Sequence, residues 1–186
     1  MGLMIGLETE KNSKDVVNEC LEKGVMCLTA KSKVRLLPAL NIPMKELKKA
    51  AEIIKNGGLV AFPTETVYGL GANVYNPKAV ASIYAAKGRP SFNPLISHIA
   101  EIDFLSTYAQ IDSRAIALAK HFWPGPLTFV LKRIDENPAL DLACAGLRTV
   151  TVRMPNHPVA LKLIKKSGVP IVAPSANKSQ TISPTK

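Results

Sequence analysis

The 186 residues, 47% hydrophobic and 20% charged, carry enough apolar side chains for one packed domain, or for a domain and a fragment, and exclude global disorder. No apolar run approaches the roughly eighteen residues of a membrane helix, so no membrane partner is expected. The net charge of +10 suits polyanions such as nucleotides or RNA, although a basic surface that merely aids solubility is the commoner case. Residues 1–56 carry ten Lys and Arg against seven Asp and Glu, and residues 57–186 fourteen against seven, so the excess lies mainly in the second part. The opening MGLMIGLETEK lacks the basic flank of a signal peptide, and a cytoplasmic chain is the default expectation. Cys20, Cys27 and Cys144 form no CxxC pair, and His98, His121 and His157 are scattered; both patterns argue against a structural zinc site and a disulfide framework.

In chain order, Asp15–Lys23 reads as a short helix stopped by Gly24, and residues 25–30 and 34–38 as strands around the turn-like Lys31-Ser32-Lys33. Pro43 suits the opening turn of a helix through MKELKKAAEIIK, whose Met44, Leu47, Ala50, Ala51 and Ile54 fall at helical spacing before Gly57-Gly58. Residues 59–62 read as a buried strand. Asn76 and Pro77 supply the cap and first position of a helix running to Ala86. Residues 95–99 form a strand, Ser113–Phe122 a helix, 127–133 and 148–154 strands, Pro158–Lys166 a helix and 169–174 a final strand. Alternation at this spacing predicts an α/β or α+β sheet flanked by helices.

Four clusters follow or end predicted strands and could carry chemistry. PTETVYGLG (63–71) offers hydroxyls, backbone N–H groups and two glycines, but matches neither a Walker loop nor a dinucleotide fingerprint; a plain tight loop explains it as well. Lys87-Gly88-Arg89-Pro90 puts two cations on one side of a helix end, where they can converge on an anion; a lysine answering the helix dipole is the blander account. In TVTVRMP (149–155), Thr149, Thr151 and Arg153 share one strand face, which as a pattern favours solvent over a polar cleft. APSANKS (173–179) places Ser175 and Asn177 as candidate donors to a phosphate or base. No nucleophile sits at a suggestive spacing from a base, so the ensemble looks like a site that positions anionic substrates.

Three stretches, GGLVAFPTETVYGLGANVYNPKAVASIYAAKGRPSFNPLISHI, TVTVRMPNHP and VPIVAPSANKS, closely resemble the threonylcarbamoyl-AMP synthase family, with the family's KxR and SxN elements at Lys87-Gly88-Arg89 and Ser175-Ala176-Asn177. The resemblance covers about residues 43–186. It implies a YrdC-like twisted mixed sheet flanked by helices, C-terminally incomplete because family members continue past Ser183-Pro184-Thr185. It also implies a nucleotidyltransferase that makes threonylcarbamoyl-AMP and pyrophosphate from L-threonine, bicarbonate and ATP, for N6-threonylcarbamoyladenosine modification of tRNA. Carried over residue by residue, Lys87, Arg89, Ser175 and Asn177 form the catalytic set. L-threonine meets Thr66, His98, Arg153 and the backbone at Ala173. ATP meets Arg89, Asn93, Thr149, Ser175 and Ser183. Mg²⁺ would arrive with the nucleotide, and no protein metal site is implied. Expected partners are tRNA or double-stranded RNA on the basic surface and a downstream threonylcarbamoyl-transfer complex.

Residues 1–42 instead resemble the C-terminal portion of acetylornithine-type class III aminotransferases, where the arginine matching Arg35 helps bind a substrate carboxylate. The pyridoxal-phosphate lysine of that family has no counterpart here, so transamination is not implied. A small α/β fragment (1–42) followed by the YrdC-like domain (43–186) is the expected organisation. Two alternatives stay open: a non-catalytic RNA- or nucleotide-binding remnant of the family, and the carbamoyl-adenylating domain of hydrogenase-maturation carbamoyltransferases. The latter carry zinc-finger cysteine pairs that this sequence lacks.

Overall fold

The computed structural model describes residues 5–8, 27–30, 33–36 and 42–185, apart from 108 and 135–137. The helix expected at Asp15–Lys23 lies outside the described residues. Near the N-terminus, β1 (Ile5–Glu8), β2 (Cys27–Ala30) and β3 (Lys33–Leu36) form an antiparallel sheet with β3 in the middle. Ile5 and Cys27 both register on Leu36.

The larger sheet has six strands in the order β4-β5-β9-β6-β8-β7: β4 (Val60–Phe62), β5 (Gly69–Asn73), β6 (Ile96–His98), β7 (Thr128–Lys132), β8 (Thr149–Arg153) and β9 (Ile171–Val172). Only β6 and β8 run parallel; every other pairing is antiparallel. The sheet is therefore mixed, as expected. Its last strand is a different matter. The final strand, expected over 169–174, is β9, only two residues long, and it lies between β5 and β6, with β4 and β7 at the edges.

Helices cover both faces because successive strand residues point to opposite sides. On one face α1 (Met44–Lys55) packs beside α5 (Pro158–Ser167), burying Leu47, Ala51, Ile54, Leu163 and Ile164 against Phe62 and Ile171. On the other, α2 (Pro77–Lys87), α3 (Ser113–Phe122) and α4 (Pro138–Ala143) cover Val150, Val152 and Val172. Adjacent Ile171 and Val172 thus serve opposite cores. Met44, read as part of the apolar stripe of α1, is 48% exposed and stands at the helix's first position. Caps fix the starts of α2 and α3: Asn76 Oδ1 accepts from Ala79 N (3.1 Å), and Asp112 Oδ1 from Ala115 N (2.7 Å).

Strand β5, the 3₁₀ turn Ile102–Thr107 and helix α4 are absent from the sequence reading. The first is instructive. Glycine-rich GLGAN reads as loop, yet here glycine serves a strand: a Cβ on Gly71 would sit 2.7 Å from Phe62 Cε1 and 2.8 Å from Ile171 Cγ2. The close approach of β5 to its neighbours requires that position to be bare.

Candidate functional site

The site grows from the loops that follow β4, α2 and β9. After β4, Thr64 ties a tight turn: its Oγ1 donates to the Val67 carbonyl (2.6 Å) and accepts from the N–H groups of Thr66 and Val67. The chain then enters β5, and Leu70 N donates to the Pro174 carbonyl while Ala176 N donates to Tyr68 O (both 2.8 Å). Loop 173–177 is thereby stitched along loop 63–71, and Ala173 N is fixed to Ile96 O at 3.0 Å. Further on, Tyr68 N donates to Pro184 O, which holds the neighbouring Ser183 over the same loop.

At the end of α2, Gly88 adopts the left-handed conformation (φ 58°), and no atom would crowd a Cβ there. Its role is conformational: it ends the helix and lets Arg89 N reach back to Tyr84 O. Lys87 is 4% exposed and donates from Nζ to the Ser175 and Asn177 carbonyls, so it crosses to loop 173–177 rather than answering its own helix dipole. Burial, then the charge of Arg89, lowers its pKa. Arg89 donates from Nε to Asn93 O (3.3 Å) and from Nη2 to Pro94 O (3.0 Å). Lys87, Arg89, Asn93, Ser175, Asn177 and Gln180 line a polar cleft of about 350 Å³. Two cations and several hydroxyl and amide groups around one concavity suit a phosphorylated ligand.

Asn177 contributes differently from the sequence expectation of a donor. Its Nδ2 is engaged by the Lys178 and Thr181 carbonyls at 2.8 and 2.7 Å, so its amide shapes the loop that holds Lys87. Thr149, at the first position of β8 opposite Lys132, does not line the cleft.

The face carrying Thr149, Thr151 and Arg153 is not a solvent face. Thr151 Oγ1 donates to Leu95 O (2.8 Å), and Arg153 is 8% exposed. Arg153 Nη2 donates to Thr66 Oγ1 (3.2 Å) and pairs with Glu65 Oε1 (2.8 Å). His98 registers directly across from Arg153 on the parallel strand and meets the Phe62 ring edge-on. It is 3% exposed, with Nδ1 3.1 Å from the Ile96 carbonyl, the contact that assigns the proton to Nδ1. Burial, reinforced by Arg153, lowers its pKa to about 4, so it is neutral at ordinary pH. Burial works against ionised Glu65, but Arg153 and the N–H groups of Asn156 and Glu65 itself outweigh it and hold the carboxyl below its ordinary value. The sequence reading passed over Glu65, although a carboxylate in a loop of small residues right after a buried strand is a usable signal.

Residues 52–186 match the family profile Sua5_yciO_yrdC, described as Telomere recombination. The chain belongs to this family. A threonylcarbamoyl-AMP synthase of Bacillus subtilis (strain 168) is 52% identical over 142 residues, covering 76% of this chain and 41% of that protein. The threonylcarbamoyl-AMP synthase of Pyrococcus abyssi (strain GE5 / Orsay) is 55% identical over 141 residues, covering 75% and 41%. The crystal structure of P. abyssi Sua5 complexed with L-threonine superposes with a TM-score of 0.75 at 53% identity, covering 78% of this chain and 42% of that one. The chain therefore spans about four-tenths of the length of these relatives. The profile begins at residue 52, and the aminotransferase resemblance of residues 1–42 gains no support from these Sua5, YciO and YrdC family matches.

Proposed function

We propose that the chain makes L-threonylcarbamoyladenylate and pyrophosphate from L-threonine, bicarbonate and ATP, as a nucleotidyltransferase serving tRNA threonylcarbamoyladenosine synthesis. The observation that carries this reading is the convergence of Lys87, Arg89 and the Ser175–Asn177 loop on one cleft, with Arg153 and Thr66 tied to the same stitched loops. The threonylcarbamoyl-AMP synthase names of relatives above 50% identity support it.

In this reading bicarbonate carboxylates the amine of threonine with loss of water, an oxygen of the resulting carbamate attacks the α-phosphorus of ATP, and the bond to pyrophosphate breaks as pyrophosphate leaves. An ammonium has three donors; two of those on Lys87 are held by the Ser175 and Asn177 carbonyls, which leaves one for a phosphate oxygen. Arg89, fixed by Asn93 and Pro94, keeps its remaining N–H groups for the charge that builds up during attack. Mg²⁺ belongs to the nucleotide substrate. Arg153 takes the threonine carboxylate, and the backbone near Ala173 borders the amino acid. Rate enhancement comes from positioning and electrostatics, without a covalent intermediate.

Pyrophosphate release that requires threonine and bicarbonate together is the expected result, with ATP affinity falling about tenfold or more in Arg89→Ala through loss of a charge-assisted contact. ATP binding without any threonine-dependent pyrophosphate would instead favour the nucleotide-binding remnant.

A further inference from the structure

Arg153 is over nine-tenths buried, and its charge needs compensation. Compensation comes from Glu65, half of a pair whose side chains are 10% and 18% exposed, on the loop that also supplies Thr66. Both partners lie against the same nitrogen, Nη2: Thr66 accepts a hydrogen bond from it, and Glu65 meets it as an ion pair without hydrogen-bond geometry. Nε, equally buried, has no hydrogen-bond partner among the described residues. A buried unpaired N–H is costly, and a ligand carboxylate would relieve it.

We propose that Glu65 is a positioning and charge-balancing residue that makes the Arg153 site select zwitterionic amino acids over anionic ones; the proposal rests on the reading of Arg153 as the carboxylate partner. With Glu65 in place the Arg153 site is neutral before a ligand enters. A zwitterion keeps it neutral: its carboxylate approaches the free Nε side of Arg153 and its ammonium lies in the field of the Glu65 carboxylate. A ligand bearing the carboxylate alone leaves one uncompensated negative charge in a site that water screens poorly. Glu65 also pins the guanidinium by one corner, so that the unpaired donor stays at a fixed place.

The test compares L-threonine with N-acetyl-L-threonine, which keeps the carboxylate and the side chain but has no ammonium. Calorimetry uses the full 186-residue chain. Wild type should prefer threonine. Glu65→Gln should lower threonine affinity about tenfold, the size of one pairing with a charged group, and leave the acetylated ligand equal or tighter, so the preference ratio collapses. Thr66→Val, which removes a contact and no charge, should weaken both ligands alike and keep the ratio. Glu65→Asp should also keep the ratio, whatever it does to the individual affinities, and it carries the test if the Gln variant does not fold. Equal weakening of both ligands by Glu65→Gln, or a ratio that collapses in Glu65→Asp, overturns the proposal and leaves a purely structural ion pair. Failure of the underlying reading looks different: threonine binding would then be unchanged in Arg153→Lys, where the bidentate fork is lost and the charge kept.

Discussion

His98 shows how one buried side chain writes a pH dependence into the molecule. Its imidazole titrates near 4 in the folded chain against an ordinary 6.5, first because of burial and then because of Arg153. The unfolded chain therefore takes up this proton earlier as pH falls. Folding stability is whole above pH 6.5, declines between 6.5 and about 4, and has nothing further to lose from this group below that. A displacement of this size corresponds to about 3 kcal/mol. Denaturant midpoints of the wild type should fall from pH 7 to pH 5, and those of His98→Gln should fall less. Parallel declines in the two proteins would mean that His98 is protonated in the fold. Glu65, whose carboxyl is held low by Arg153 and two N–H groups despite burial, acts in the same direction at lower pH; the comparison between variants separates the two.

Secondary-structure elements were legible in the sequence where local chemistry decides them. Asn76-Pro77 announces α2 because a short polar side chain and a proline suit a helix start, and the structure has both in those roles. Asn76→Ala should therefore cost about 1 kcal/mol, whereas Asn76→Asp should be close to neutral. Urea midpoints measure both, and an Ala variant as stable as the parent would mean that the Ala79 N–H finds another acceptor. Elements decided by tertiary contact were not legible. Gly69 and Gly71 lower strand propensity, and only the ring of Phe62 and the side chain of Ile171 explain why a strand of glycines is wanted there. The polar face of β8 is a similar case. Period two placed Thr149, Thr151 and Arg153 on one side, but no local signal revealed that Leu95, Glu65 and Thr66 would cover the latter two. The KGR and SAN clusters were visible as residue types; their meeting through Lys87 Nζ depends on β9 lying beside β5.

At the scale of the molecule, β9 is the join. It pairs with β5 through Ala72 and Asn73 and with β6 through Ser97 and His98, and its residues enter both cores. A chain ending at Gly168 keeps five of the six strands yet should lose cooperative unfolding, because β4-β5 and β6-β8-β7 no longer share a hydrogen-bonded edge. Thermal melting followed by circular dichroism tests this; a sharp transition like that of the full chain would show that helix packing alone holds the halves together. The same placement has a consequence for synthesis on the ribosome. Translation is vectorial, and residues 171–172 are made after the other five described strands of this sheet. Until they leave the exit tunnel, β5 and β6 each present a nascent edge with unpaired N–H and carbonyl groups, the kind of surface that recruits other chains. The interval between the emergence of His98 and that of Val172 is thus a window of vulnerability, and the sheet closes by insertion at its centre rather than by growth at its rim.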